Sequence, residues 1–197
     1  MKKNQNTGPT YTENESTVLY GYSDSDWAGD TERRKSTSGY VFMFGGAAIS
    51  WCSKKQATVA LSSAEAEYMA VCAATQEAIY LRALLKDLGH EQTTPTTIFQ
   101  DNQGSIAMSK NTVNSRRTKH IDIRYHYTRD MVESGQIELE YIPTTEMVAD
   151  CFTKPVTKLI LNNCKDKIFG ESEFQLRESV KACKVNAGNL IPTSSYH

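Results

Sequence analysis

The sequence predicts an α/β domain: a five-stranded mixed sheet, with an antiparallel three-strand meander continued by parallel strands and helices on its faces. Three observations predict it. β-branched and aromatic runs with short turns between them fill the first quarter of the chain. Two long stretches with apolar residues at three- and four-residue steps follow. Between and after these lie two more short strand-like runs, giving the order β-β-β-α-β-α-α-β-α.

The first strand is Thr17-Val18-Leu19-Tyr20-Gly21-Tyr22-Ser23-Asp24, running into the acidic knot Asp24 to Asp30 and the basic turn Glu32 to Ser36. Ser38 to Phe44 is the second strand, Gly45-Gly46 a hairpin signal, and Ala47 to Cys52 the returning strand. Lys54-Lys55-Gln56 reads as a solvated turn. A helix is expected from Ser62 to Leu88, with Ala70, Ala73, Ala74, Ala78, Leu81, Leu84 and Leu85 as its apolar stripe and Gly89 as its C-terminal cap. Ser62 and Glu65 have capping-box spacing. Thr96 to Gln100 is a short buried strand ending at Asp101, and a helix begins at Gln103 or Gly104. Asn111 to Lys119 is a basic loop, Ile121 to Glu133 a second long helix, and Ile137 to Ile142 the last strand. A helix is expected over Glu146 to Phe152.

Residues 1–16 are polar and aperiodic and read as a disordered leader or upstream remnant. The domain itself spans 17–155. A C-terminal helix over 156–170 uses Leu159, Ile160, Ile168 and Phe169, and 171–197 reads as a loosely ordered tail. With 197 residues, 39% hydrophobic, one core is the expectation. With 22 basic and 23 acidic residues the chain is no wholesale polycation, although a local basic patch is compatible with that balance. Five cysteines without paired spacing read as reduced thiols of an intracellular protein, with neither zinc nor a disulfide framework. No apolar run reaches the length of about 18 residues that spans a membrane.

Four acids stand where sites form in such sheets: Asp24 and Asp101 after strands, Glu67 early in the first helix, and Asp150 in the late one. Each alone is more often a cap or turn residue. Gathered together, they would repel unless a cation neutralised them, and hard carboxylate oxygens suit magnesium. Two such ions ~3.5–4 Å apart are a recurrent solution for phosphodiester cleavage.

The motifs resolve the pattern further. Gly21 to Asp30, Arg34 to Tyr40, Ile49-Ser50-Trp51 with Ser53 to Gln56, Ala60 to Ala70, Asp101-Asn102-Gln103, Arg117 to His126, and Ala149-Asp150 with Thr153-Lys154-Pro155 are carried in this order. The chain thereby resembles the ribonuclease H domain of copia-type (Pseudoviridae-like) LTR retrotransposon Pol polyproteins, over about residues 18 to 155.

The resemblance implies a ribonuclease H-like fold and a magnesium-dependent endonuclease that hydrolyses the RNA strand of RNA–DNA hybrids during retrotransposon reverse transcription. It implies two Mg2+ ions, with Mn2+ able to substitute. Asp24, Glu67, Asp101 and Asp150 would be the catalytic, metal-binding acids, Asp24 bridging both ions. Glu67 is preferred to Glu65 because the family's glutamate precedes two bulky residues and an alanine. Asp24 is preferred to Asp26 because it directly follows the strand.

For the substrate, Ser63, Asn102 and Gln103 flank the acids and suit contacts to the 2′-OH that distinguishes RNA. Ser62 suits a DNA phosphate at the helix N-terminus, a role compatible with plain capping. Lys110, Arg116, Arg117, Lys119, Arg124 and Arg129 make a local cationic run. Within it Arg117, Lys119 and Arg124 are the expected backbone grip and His120 a substrate contact. The loop Pro143 to Glu146 lacks the histidine that cellular ribonucleases H carry before the last acid. The reverse transcriptase domain of the same polyprotein is the expected protein partner, and no membrane is involved. The expected setting is intracellular, in cytoplasm, retrotransposon particle or nucleus. The rival reading is a catalytically inactive nucleic-acid-binding remnant of a retroelement.

Overall fold

The computed structural model describes residues 8–11, 17–30, 32, 34–110 and 119–170, with the backbone alone for residue 110 and for 119–125. Five strands, β1 (Tyr20–Asp26), β2 (Thr37–Phe44), β3 (Ala47–Lys55), β4 (Thr96–Gln100) and β5 (Ile137–Tyr141), form one sheet in the order β3-β2-β1-β4-β5. The β1–β2 and β2–β3 pairs are antiparallel, whereas β1–β4 and β4–β5 are parallel, as the predicted mixed sheet requires. Around it lie α1 (Ser63–Asp87), α2 (Gln103–Lys110), α3 (Lys119–Glu133), α4 (Asp150–Thr153) and α5 (Lys158–Phe169), with a short 3-10 turn over Thr144–Glu146.

The period-two alternation of the strands builds two apolar layers. On one face Leu19, Phe42, Ile98, Ile137 and Leu139 meet the α1 stripe Val71, Ala74, Ala78, Leu81 and Leu85, and Met131 and Val132 of α3 join them. On the other face Tyr20, Tyr22, Val41, Met43 and Phe99 meet Met147, Val148 and Ala149 around α4, and Cys164 of α5. The predicted C-terminal helix is thus part of the same core. Gly8–Tyr11, from the segment read as a leader, also lies against it: Thr10 N–H donates to the Phe169 carbonyl at 2.9 Å and Tyr11 hydroxyl to that of Ala48 at 2.8 Å.

Several local expectations are corrected. Lys54-Lys55-Gln56 is no solvated turn: both lysines extend β3, and Gln56 is buried. Its side-chain amide donates to the Ser25 hydroxyl (3.2 Å), the Ser38 hydroxyl (2.9 Å) and the Ala66 carbonyl (2.9 Å), joining β1, β2 and α1. Leu84 is 39% exposed, because the buried stripe steps past it from Leu81 to Leu85. The helix expected over Glu146–Phe152 splits into the 3-10 turn and α4, since a helix running through Met147, Val148 and Ala149 would pull these core residues off the sheet. Among the described residues no helix is long and apolar enough to cross a membrane.

Gly39 of β2 sets how closely α4 approaches. A β-carbon there would lie 2.7 Å from Thr153 Cγ2 and 2.9 Å from Phe152 Cβ, closer than such atoms tolerate. Ser53 fixes the same segment by donating to the Phe152 carbonyl at 2.6 Å. Gly39→Ala is expected to cost about 1–3 kcal/mol of unfolding free energy through overpacking. Urea denaturation measures it, and an unchanged midpoint would contradict this packing.

Candidate active site

Strand register places the first two acids side by side. Tyr22 of β1 pairs with Phe99 of parallel β4, and two residues further along each strand lie Asp24 and Asp101. Both follow core residues of the α4 face, so alternation puts their side chains on that face. Asp24 lies inside β1 rather than at its end, because pairing with β2 continues from Asp24–Gly39 to Asp26–Thr37. Asp26 is occupied structurally: its carboxylate accepts the Thr37 N–H. Asp30 is likewise occupied, in an ion pair with Lys55 at 2.7 Å.

Glu67 reaches the same place from the first turns of α1. Ser62 caps this helix by accepting the Glu65 N–H at 3.2 Å, and Glu65 turns back to accept the Leu61 N–H at 2.8 Å. Glu65 is therefore held as a cap, while Glu67 faces the aspartates. Ligand oxygens of Asp24, Glu67 and Asp101 all lie within 4.8 Å of one another. Asp24 is 1% and Glu67 6% exposed.

This crowding is visible in Glu67. Burial, then the charges of Asp24 and Asp101, push its carboxyl up to about 9, against the Ser25 backbone amide and Lys154, which favour the anion. Its Oε2 is buried and makes no hydrogen bond among the described residues. An orphaned, buried carboxylate oxygen facing two further carboxylates is the donor set a hard divalent cation takes. The three acids thus fit such an ion.

Asp150 is adjacent to this trio rather than within it. It opens α4, and Lys154, one turn later, pairs with it at 2.8 Å and with Asp24 at 3.8 Å. Burial leads in raising the Asp150 carboxyl to about 6, with Lys154 opposing and Asp24 adding to the rise. Desolvation works against the Lys154 ammonium, but Asp150 and Asp24 outweigh it and hold its affinity for the proton above the ordinary value. The Thr153 hydroxyl donates to Asp24 as well. Sequence reasoning gave no role to Thr153, Lys154 or Gly39. Their signal lay in the two matched motifs, which the β2–α4 packing brings together.

Asp101 accepts the Thr144 hydroxyl at 2.7 Å, so the loop without a histidine nevertheless touches an acid of the cluster. Beside Asp101, the Asn102 side-chain oxygen accepts the Ser105 N–H at 3.0 Å and caps α2; Gln103 is exposed. Ser63 is exposed on the first turn of α1, next to the Ser62 cap. Arg117 lies outside the described residues. Lys119, His120 and Arg124 stand on α3, but their side chains lie outside the described part.

No family model matches the chain. It is 44% identical over 151 residues to the retrovirus-related Pol polyprotein from transposon TNT 1-94 of Nicotiana tabacum, covering 77% of this chain and 11% of that protein. Its identity to the Pol polyprotein from transposon RE2 of Arabidopsis thaliana is 41%, covering 76% of this chain and 10% of that protein. The chain therefore spans about a tenth of the length of these curated relatives. Among solved structures it is similar to LC11-RNase H1, isolated from compost, with a TM-score of 0.52 at 14% identity, covering 77% of this chain and 97% of that one. The fold is that of ribonuclease H.

The raised carboxyls make stability depend on pH with a definite sign. Between the ordinary value of 4.5 and about 9, folded Glu67 keeps a proton that the unfolded chain has released. The folded state then binds more protons, so stability is full below the lower value and is lost as pH rises through the upper one. Asp150 acts in the same direction up to about 6. In chelator, the unfolding temperature is expected to fall from about pH 5 to about pH 9, by roughly 2–4 °C per kcal/mol. Magnesium should restore it, and Glu67→Gln should flatten both responses. Scanning calorimetry over that range measures them; equal slopes in wild type and variant would refute the assignment.

Proposed function

We propose that this chain, a ribonuclease H-fold relative of transposon Pol polyproteins, is a divalent-metal-dependent endonuclease acting on the RNA strand of RNA–DNA hybrids. The observation that carries the reading is the convergence of Asp24, Glu67 and Asp101 within 4.8 Å, with Asp150 tied to Asp24 through Lys154. In this reading Asp24, Glu67 and Asp101 would hold one ion, and Asp24 and Asp150 would help hold a second. When bound, these ions supply Lewis-acid stabilisation of the phosphodiester and a nucleophilic water at neutral pH.

The chain's own residues do the remainder. Asp24, fixed on the sheet and bonded by Thr153, sets the reference position for the scissile phosphate. Glu67, in its buried position, keeps competing water from one side. Lys154 balances the charge of Asp24 and Asp150 while the site is empty of phosphate. Ser63, Asn102 and Gln103 border the acids and serve the 2′-OH contacts that select RNA; Asn102 retains its amide donors because only its oxygen is used in capping α2. Ser62 combines its cap with a place at a helix N-terminus, where a DNA-strand phosphate is stabilised. Arg117, Lys119 and Arg124 form the backbone grip, and His120 is a further substrate contact. The surrounding setting, reverse transcription of a retrotransposon beside a reverse transcriptase domain inside the cell, belongs to the same proposal. That the matched relatives are Pol polyproteins supports it. We also propose 17–155 as the nuclease domain, with α5 as its C-terminal buttress.

The test incubates labelled RNA–DNA hybrid, double-stranded RNA and duplex DNA with the protein, with magnesium, manganese or chelator. Cleavage confined to the hybrid, dependent on the ion, is expected. Asp101→Asn should reduce it by more than about 100-fold, beyond what loss of a merely supporting residue costs. Hybrid binding without cleavage under every condition would overturn the proposal in favour of an inactive nucleic-acid-binding module.

A second measurement addresses the grip. Lys119→Ala and Arg124→Ala should each weaken hybrids of all sequences alike and lower the slope of log affinity against log salt by about 1. Sequence-dependent losses in a binding titration would contradict this role.

A further inference from the structure

Two thiols meet beside the candidate site without taking part in it. Cys151 follows Asp150 in α4 and is half-buried; Cys164 lies in α5 and is buried. Cys151 packs against the core cluster that contains Cys164, the two thiols interact, and Cys151 donates to the Val148 carbonyl at 3.2 Å. Both line an apolar cavity of about 370 Å3, whose walls include Trp51, Phe152, Leu161 and Ile168. Trp51 is 59% and Leu161 49% exposed, so the cavity opens to solvent and a small solute can reach the sulfurs. The other two described cysteines lie elsewhere, in the groove between β3 and α1. Cys183 lies outside the described residues.

Burial alone accounts for one apolar thiol in a core. It does not account for two thiols from different helices placed in mutual contact at the wall of an open cavity. That arrangement lowers the positional cost of joining them, because both sulfurs already line the same cavity.

We propose that Cys151 and Cys164 are a redox-active dithiol, a modification site that a peroxide converts into a disulfide joining α4 to α5. Cys164, whose ionised form its interaction with Cys151 and the Lys167 charge favour, meets the peroxide at the cavity wall. Its thiolate attacks one oxygen, the O–O bond breaks, and with one proton taken up a sulfenic acid forms with release of one water. The Cys151 thiol then gives up its proton, its sulfur attacks the Cys164 sulfur, the S–O bond breaks, and the hydroxyl leaves with that proton as a second water. Two thiols and one peroxide thus become one disulfide and two waters, the two sulfurs together giving up two electrons. The link closes the short loop through Pro155 and Thr157 and restrains the unfolded chain, so it raises thermal stability. It fastens the helix that carries Asp150 to its buttress. This site stands independently of the nuclease reading, since neither thiol is placed among the carboxylates.

The test uses the full chain, fully reduced, treated with hydrogen peroxide, blocked with iodoacetamide and digested with trypsin. Cys151 and Cys164 fall in different tryptic peptides, residues 130–158 and 159–165, because trypsin cuts after Lys158 while the Lys154–Pro155 bond resists it. The expected product is these two peptides joined, lighter by two hydrogens than their sum, with a higher unfolding temperature that dithiothreitol reverses. Cys151→Ser and Cys164→Ser should each abolish both changes. Separately alkylated or separately over-oxidised cysteines, links to Cys52, Cys72 or Cys183 instead, or a link without the rise in unfolding temperature would overturn the proposal. The wild-type peptide map decides the matter even if a variant fails to fold.

Discussion

Three carboxylates with oxygens within 4.8 Å of one another are the constraint on which the rest of the structure depends. At an effective dielectric of ~20, each ionised pair at that range costs roughly 3–4 kcal/mol. That is a large part of a domain's net stability of about 5–15 kcal/mol. The cost is contained by spreading the acids over elements with separate anchors. Asp24 sits within a strand paired on both sides in its sheet. Asp101 lies just past β4, where Gln100 still ties the chain to the Ser23 carbonyl at 3.1 Å. Glu67 rides on α1, whose start is held by the Ser62–Glu65 cap and by Gln56. None of these anchors uses the carboxylates themselves, so repulsion among the acids has no single weak element to expel.

The fourth acid is held on a different principle. Helix α4 has only four residues, too few to be stable alone, and its place is set by what surrounds it. Gly39 removes the obstacle, Ser53 bonds its backbone, and Thr153 and Lys154 reach back to Asp24. The lysine matters most electrostatically. A buried aspartate beside Asp24 would otherwise take up a proton, and Lys154 at 2.8 Å offsets that tendency. Lys154 also favours the Glu67 anion, but it bonds Asp150 directly, whereas burial and two neighbouring carboxylates dominate at Glu67, which shows the larger shift.

Much of this was legible in the residues, for identifiable reasons. The strands alternate or run apolar, the meander has its hairpin glycines, and the α1 stripe keeps helical spacing; sheet order then follows from the mixed pattern. The pairing of Asp24 with Asp101 was legible because both stand toward the C-terminal ends of their strand runs, although β1 continues two residues past Asp24. What could not be read depended on contacts between distant segments. Gln56, flanked by two lysines, looks solvated until three partners from β1, β2 and α1 enclose it. Asp24 and Asp26 are separable only by register, which gives Asp26 to a backbone amide and leaves Asp24 to the cluster. Lys154 reads as a surface lysine before Pro155 until the close approach at Gly39 turns it inward.

Helix α5 is held by the same kind of contacts. Its sequence carries a weak stripe, and Leu159, Ile160 and Leu161 remain exposed, so propensity alone gives it little reason to be ordered. Yet Cys164 is buried in the cluster that contains Tyr20, Tyr22 and Phe99, and Ile168 packs against it. The helix is capped at both ends, by the Thr157 hydroxyl at 3.4 Å and by Gly170 in the left-handed conformation. Removing it would uncover Val148, Ala149 and the back of α4, the side opposite the Asp24 contact. A short helix pressed between a glycine on one side and a buttress on the other keeps its position only while both remain. The geometry of Asp150 therefore depends on a segment whose described residues contribute no polar atom to the site.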